Sequence, residues 1–413
     1  MTAPTSLRAD ARWLGAGTLM ALSSSFGQTY FIAIYAGFWR ESFGLSHGDW
    51  GAIYMAATLA AAAALTQAGR LADMLPARRL ACFVLLVFAA IAVGVAFAWS
   101  WAMLTVLIFG LRLCGQGMMS HIALTSMAKW FRAKRARAIA FAALGFSIGG
   151  AAMPASALAL TALVGWRSSW LIIAAVILLV IIPLLRWLLR SERQPSGSGG
   201  GDLSTGLQGR HWTRAEVARH WVFWALIPGL VGPSWVSTVI FFQTVHVAQI
   251  KDWDIIAYTG LAFPVYSATT ICASFSFGWL ADRFGAVRLL PVYLLGWMVG
   301  AALLSFAGGL PAGVAALAVC GLGSGGVSVV TGAIFAELYG ARWIGGVRSI
   351  VAAITVLASA LGPGFSGALL DAGVGFERQC LFMGGYLAAV SCWFAYVSVR
   401  ARRLLAEKPV VSA

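Results

Sequence analysis

Charge is scarce in this sequence. Only 10% of its 413 residues are charged, against roughly 25% in a soluble domain. Acids are scarcer still, with 14 Asp and Glu facing 29 Lys and Arg. Hydrophobic residues make up 60% and the mean hydropathy is +0.85. A water-soluble fold has no place for that excess, so lipid is the solvent for much of the chain. The six cysteines (Cys82, Cys114, Cys272, Cys320, Cys380 and Cys392) lie in or beside apolar runs and form no Cys-x-x-Cys pair. They read as small buried hydrophobes rather than a disulfide framework or zinc site. Five scattered histidines show no His-x-x-x-His spacing. Paired carboxylates, a metal cluster and a nucleophile–base set are all missing, so neither an enzyme nor a bound cofactor is expected.

The net charge of +15 would suggest nucleic acid if the protein were soluble. Here the basic residues fall in short clusters between apolar runs, as in membrane loops on the cytoplasmic side. No nucleic-acid partner is expected. The expected fold class is an all-α membrane protein. Twelve segments are long enough to span a bilayer, at about 20 apolar residues each: roughly 13–38, 49–70, 80–99, 101–124, 138–163, 168–189, 221–247, 255–279, 289–308, 313–336, 348–370 and 379–400. The first is too long for the apolar core of a signal peptide and reads as an uncleaved helix. With the N-terminus inside, the inner loops and tails hold about 24 of the 29 basic residues. That asymmetry predicts a multi-pass inner (plasma) membrane protein with both termini cytoplasmic.

"SERQPSGSGGGDLSTGLQGRHW", Ser191 to Trp212, breaks the apolar pattern at mid-chain and has the composition of a flexible linker. Thr213 and Glu216 follow it with capping-box spacing. The expected organisation is a six-helix bundle over 1–190, a cytoplasmic linker over 191–220, and a second six-helix bundle with a short tail over 221–413. An internal repeat supports the division. "GRLADMLPARR" begins at Gly69 and "GWLADRFGAVR" at Gly278, an offset of 209 (278 minus 69). At that offset Pro154 falls on Pro363 and Gly117 on Gly326. Parallel halves related by an axis along the membrane normal are a transporter architecture.

The two phrases resemble the loop signature of the major facilitator superfamily, Gly-x-Leu-Ala-Asp-Arg-x-Gly with basic residues after it. The second copy keeps Arg283 and Gly285. The first has Met74 and Pro76 in their places. "KWFRAKRARAIAFAALGFSIGGAAMP", Lys129 to Pro154, is similar to bacterial monocarboxylate-porter-like members. The resemblance spans essentially the whole chain. It implies two pseudo-symmetric six-helix bundles, a substrate site near the membrane midplane, and secondary transport by alternating access. It also implies gating roles for the repeated phrase, carried by Asp73, Arg78 and Arg79 in the first copy and Asp282, Arg283 and Arg288 in the second. Asp73 is expected to favour closure of the inner gate, with a weaker latch in the altered first copy. Holding the loop inside is an equal reading for Arg78 and Arg79.

Arg112 in "FGLRLCGQG" is the one basic residue deep in a spanning segment, and no acid lies at similar depth. A charge there costs roughly 2.5–3.5 kcal/mol on insertion scales, so it should face a polar interior. Two roles fit: a contact for an anionic substrate, since guanidinium matches carboxylate in pairs, or a structural tie to backbone carbonyls. Gln116, four residues on, shares its face. Gln28 and Tyr35 fall on one stripe with Ser24 and Phe31 if the first helix is regular. Gln243 and His246 share a face of the seventh segment, and a hydrated His246 would titrate near neutrality. Tyr266 and several hydroxyls line the eighth, which lacks the Arg that well-studied monocarboxylate and oxalate carriers of the family place there. "GLGSGG", Gly321 to Gly326, is read as a close-packing stretch rather than a phosphate loop.

The expected function is a secondary transporter for a small organic anion, a carboxylate in the preferred reading. It would be a monomer in the bilayer, acting by proton symport or exchange. The alternative is an exporter of drugs or hydrophobic compounds.

Overall fold

The computed structural model describes residues 7–131, 135–191, 205–340 and 342–406. Among them there are helices and turns but no strands. Nine stretches of the described residues are long and apolar enough to cross a membrane. Three further features bring these to the twelve segments expected. The stretch Arg137–Leu188 is 52 residues, about 78 Å at 1.5 Å per residue, too long for one crossing. It breaks at Gly165, which takes φ 78° and ψ 159°. The first segment is split into Leu7–Ser23, Ser24–Gly27, Thr29–Ile32, Ala33–Tyr35 and Ala36–Phe43. The ninth is short, Leu295–Phe306, preceded by the turn helix Ala286–Leu289.

The chain forms two compact units. One holds residues 1–200 together with Phe242–His246. The other holds residues 201–241 and 247–413. Part of the sequence-derived linker, residues 192–204, lies outside the described residues. Large apolar side chains such as Phe83, Val106, Leu179, Phe275 and Phe382 are exposed. That is the expected surface of a protein whose solvent is lipid.

In the first unit the first segment and the third, Ala77–Ala96, each pack against Arg135–Val176. Its core is aromatic: Phe31, Tyr35, Trp39, Trp50 and Trp170 are all nearly inaccessible. Tyr35 and Trp39 stack at 5.5 Å, and Trp39 and Trp170 at 6.2 Å. Arg167 ends the third segment: its Nη1 donates to the carbonyls of Ala96 (2.8 Å) and Ala98 (2.9 Å). A cation at a helix C-terminus also complements the dipole.

The second unit is built around Ile255–Phe284 and Leu310–Tyr339, which pack along their length. The "GLGSGG" stretch lies in this contact. A Cβ on Gly321 would sit 2.6 Å from the Tyr266 carbonyl, and one on Gly325 would sit 2.6 Å from Ser274 N. Small residues let the backbones meet where lipid supplies no hydrophobic drive. Trp221–Phe242 carries Pro228 and Pro233. Pro233 has no N–H for the Gly229 carbonyl, which accepts instead from Tyr293 Oη at 2.8 Å.

The described part of the linker docks on the second unit. Trp212 N donates to the Tyr339 carbonyl at 3.0 Å, and His220 Nδ1 shares a hydrogen bond with Tyr339 Oη at 3.0 Å. The Thr213–Glu216 capping box forms as expected and starts the helix Arg214–Arg219.

Candidate functional site

The first segment does not run as one helix. Gln28 adopts φ −79° and ψ 155°, an extended conformation. The next turn bonds back to the Gln28 carbonyl, which accepts from Phe31 N and Ile32 N. The carbonyl of Gly27 is therefore left without its helical donor. Arg112 supplies one: its Nη1 donates to Gly27 O at 3.1 Å and reaches Thr29 Oγ1 at 3.4 Å. Thr29 in turn accepts from Tyr54 Oη at 2.7 Å. The guanidinium carbon lies 5.0 Å from the centre of the Tyr54 ring, within cation–π range.

This approach needs two glycines. A Cβ on Gly115 would stand 2.6 Å from Gly27 Cα. The fourth segment also changes its winding here, from Trp101–Leu111 through a π-helical stretch, Arg112–Met119, to Ser120–Trp130. Such bulges recur at functional sites.

Arg112 is 4% exposed, and its Nε is buried with no hydrogen-bond partner. Gln116 Oε1 and Ser120 Oγ are buried and unpartnered as well. The three residues lie four apart on one segment, so a donor, an acceptor and a hydroxyl are all unmatched. Buried polar groups are ordinarily paired, so this row is an exception. Ser120 and Tyr54 are not among the sequence candidates. Extending the Arg112–Gln116 spacing by one more step would have found Ser120. Tyr54 had no such signal.

Of the first-segment candidates, Gln28 is half-buried at the break itself. Tyr35 does not join it. The shared stripe presumed a regular helix, and the break removes that register. Tyr35 is fully buried against Phe31, Trp39 and Trp170, and its Oη accepts from Ser169 Oγ at 3.2 Å.

The seventh segment breaks as well, at Gln243, between Trp221–Phe242 and Thr244–Ile250. Gln243 lies at this turn and His246 in the helix that follows it. Gln243 is 3% exposed. His246 is half-buried, its ring centre 4.5 Å from that of His47. Both belong to the first unit, where Phe242 stacks on Trp50 at 5.7 Å and packs against Tyr54 at 4.9 Å.

In the second unit Tyr266 is half-buried, and its Oη lies 2.6 Å from Ser324 Oγ. Thr269, Thr270 and Ser274 continue the hydroxyls along the same segment, with Ser274 Oγ 3.4 Å from Ser328 Oγ. Phe241 and Trp297 flank Tyr266 at 5.0 and 6.3 Å.

The repeated phrase is held differently in its two copies. In the first, Leu71–Met74 forms a single turn, and the side chain of Asp73 lies outside the described residues. Lys129 Nζ donates to the Ala72 carbonyl at 2.8 Å, and His121 Nε2 lies 3.2 Å from the Gly69 carbonyl. Arg78 is half-buried and Arg79 exposed, both on the first turn of Ala77–Ala96. In the second copy Asp282, Arg283 and Arg288 are exposed, and Arg283 lies over Trp279 at 5.3 Å. Gly285 takes φ 83°, a conformation that suits glycine. Glu337 Oε2 then accepts from Ala286 N at 2.6 Å. Pro76 stands where the twin has Gly285. The first copy sets an ammonium on a carbonyl, and the second a carboxylate on an amide.

The sequence profile of the Major Facilitator Superfamily matches residues 17–259 and 256–412. In structure the chain resembles a bacterial homolog of the human lysosomal transporter Spinster, solved inward-facing and unoccupied. The TM-score is 0.71 at 16% identity, over 97% of this chain and 98% of that one. It also resembles the nucleoside transporter NupG, with TM-score 0.69 and 13% identity over 95% and 99% of the two chains. At these identities the likeness is one of fold. No curated protein matches the chain by sequence.

Proposed function

The chain belongs to the major facilitator superfamily and is a multi-pass membrane transporter rather than an enzyme, and from that premise we propose that its substrate is a small organic anion, a carboxylate. The supporting observation is the buried row on the fourth segment. Arg112 Nε is an unmatched donor on a cationic group, with Gln116 Oε1 and Ser120 Oγ beside it in sequence spacing. Among the described residues no acid bonds or pairs with Arg112. An anion arriving there restores the missing partner and neutralises a buried charge. Gln28, at the helix break, and Tyr266, with its hydroxyl neighbours, supply further polar contacts in this reading.

Transport proceeds by alternating access, with proton symport or exchange as its coupling. His246 is the titratable candidate for a proton-carrying role, and retained pH-gradient-driven accumulation in His246→Ala removes it. The protein works as a monomer in the inner membrane with both termini cytoplasmic, in keeping with the distribution of its basic residues. The phrases around Asp73, Arg78 and Arg79 and around Asp282, Arg283 and Arg288 bias the conformational equilibrium.

A second reading, export of hydrophobic compounds, draws on a different observation. Arg112 Nη1 is already occupied by Gly27 and Thr29, and the second unit offers hydroxyls and aromatics around Tyr266. A thermal-shift screen of the purified chain separates the two. Small carboxylates should raise the apparent Tm of the wild type, by mass action on the native state, and not that of Arg112→Gln. Stabilisation by cationic drugs alone, or an equal carboxylate shift in Arg112→Gln, defeats the anion reading.

A further inference from the structure

The twelfth segment, Phe376–Ala406, has 31 residues, about 46 Å at 1.5 Å per residue. The hydrocarbon layer is about 30 Å thick, so the ends of this helix stand in the headgroup zone. The segment runs antiparallel to the start of Trp221–Phe242. Trp393 Nε1 donates to the Ala225 carbonyl at 3.0 Å, and Tyr386 Oη to the Pro228 carbonyl at 2.9 Å. That register brings Trp221 beside the last turns of the twelfth segment.

A cavity of about 570 Å³ lies there, lined by Trp221, Tyr396, Arg400, Arg403 and Leu404. The last four are spaced i, i+4, i+7 and i+8, one face of a helix. Arg400 Nε donates to Tyr396 Oη at 3.2 Å, and its guanidinium carbon lies 5.5 Å from the Tyr396 ring centre. Its terminal nitrogens are left for another partner. Among the described residues no acid lines the cavity and neither arginine is in an ion pair. Trp221, Trp224, Trp393 and Tyr396 are all exposed around it. Exposed aromatics of this kind mark the membrane–water interface, and basic pockets between spanning helices at that depth suit anionic headgroups. Two guanidinium forks on one face match the geometry of a phosphate.

We propose that this cavity binds a phosphate headgroup, that of an anionic phospholipid of the surrounding bilayer. The proposal is independent of the transported substrate. It is tested on the full chain in detergent by native mass spectrometry, titrating phosphatidylglycerol, phosphatidylcholine and inorganic phosphate. The wild type should retain one phosphatidylglycerol in preference to phosphatidylcholine, and millimolar phosphate should not displace it. Arg400→Gln with Arg403→Gln should weaken that binding roughly tenfold or more, while Arg400→Lys with Arg403→Lys keeps the charge and much of the affinity. Arg402→Gln is the control. Arg402 sits on the same turn, bonds Ser398 O through its Nε at 3.3 Å and does not line the cavity. Its loss should leave binding within about threefold. Undiminished binding in the double Gln variant, or an equal loss in Arg402→Gln, overturns the site. Displacement by inorganic phosphate overturns the lipid as its ligand.

Discussion

Gly115→Ala tests whether the crossing of the first and fourth segments holds Arg112 in place. The new Cβ would lie 2.6 Å from Gly27 Cα, 2.8 Å from Gly27 N and 3.0 Å from Phe88 Cζ. Carbon atoms rest at about 3.5–4.0 Å, so the two backbones must part by about 1 Å. No rotamer relieves a clash with main chain. Overpacking of this kind costs about 1–3 kcal/mol. The same shift draws the Gly27 carbonyl away from Arg112 Nη1, which already donates across 3.1 Å. A buried acceptor left unmatched adds about 1–3 kcal/mol. The stiffer unfolded chain returns about 0.4–1 kcal/mol, which leaves a net loss of about 1–6 kcal/mol. Gly117→Ala is the matched control two residues on. Its Cβ would meet Arg112 O and Leu65 Cδ1 at 3.4 Å, an ordinary contact. Apparent Tm in one detergent at one scan rate is the measurement, because unfolding of such proteins is often irreversible. Gly115→Ala should fall by several degrees and Gly117→Ala by little. Equal Tm values for the two variants would refute the close-approach reasoning.

Two further outcomes concern the loops. Glu337→Gln weakens the cap on Ala286 N, replacing a charged acceptor by a neutral one at a cost of about 1 kcal/mol. Amide exchange at Ala286–Leu289 should quicken while the body of Leu310–Tyr339 is unchanged, and unaltered exchange at the turn counts against the cap. Docking of the linker should depend on pH through His220, whose pKa is held below its ordinary value by burial first and by Arg210 second. A depressed His pKa means that the unfolded segment binds the proton more readily. The docked state is therefore at full strength above the ordinary His value of about 6.5 and weakens as pH falls below it. Hydrogen-exchange protection over 207–220 should decline between pH 7 and 5, and the decline should flatten in His220→Gln. A pH response that persists in the variant assigns it elsewhere.

Much of the fold was legible because lipid imposes a simple rule on sequence: each crossing needs about 20 apolar residues, and loops carry the charge. Twelve segments and the mid-chain polar stretch follow from that one dimension, while the doubled "GxLAD" phrase with its 209-residue offset is read from the repeat itself (278 minus 69). Arg112 was legible for the same reason, since a lone deep cation is costly and must have a use. Its surroundings were not. Composition says nothing of where a helix breaks, and the extended Gln28, the orphaned Gly27 carbonyl and the π-helical turn at Arg112 depend on two segments meeting at Gly27 and Gly115. The stripe that joined Gln28 to Tyr35 assumed a regular helix, so the break separated them and left Tyr35 in an aromatic core. The two copies of the repeated phrase share their Gly-x-Leu-Ala-Asp opening and differ at five of eleven positions, Met74 and Pro76 among them. Only packing sets Lys129 on a carbonyl in one and Glu337 on an amide in the other. The sequence by itself determined the number of segments, the two-part repeat and the membrane as solvent, because these rest on hydropathy and periodicity. Tertiary structure decided which polar atoms are satisfied, because that depends on where non-local backbones bring donors and acceptors within about 3 Å.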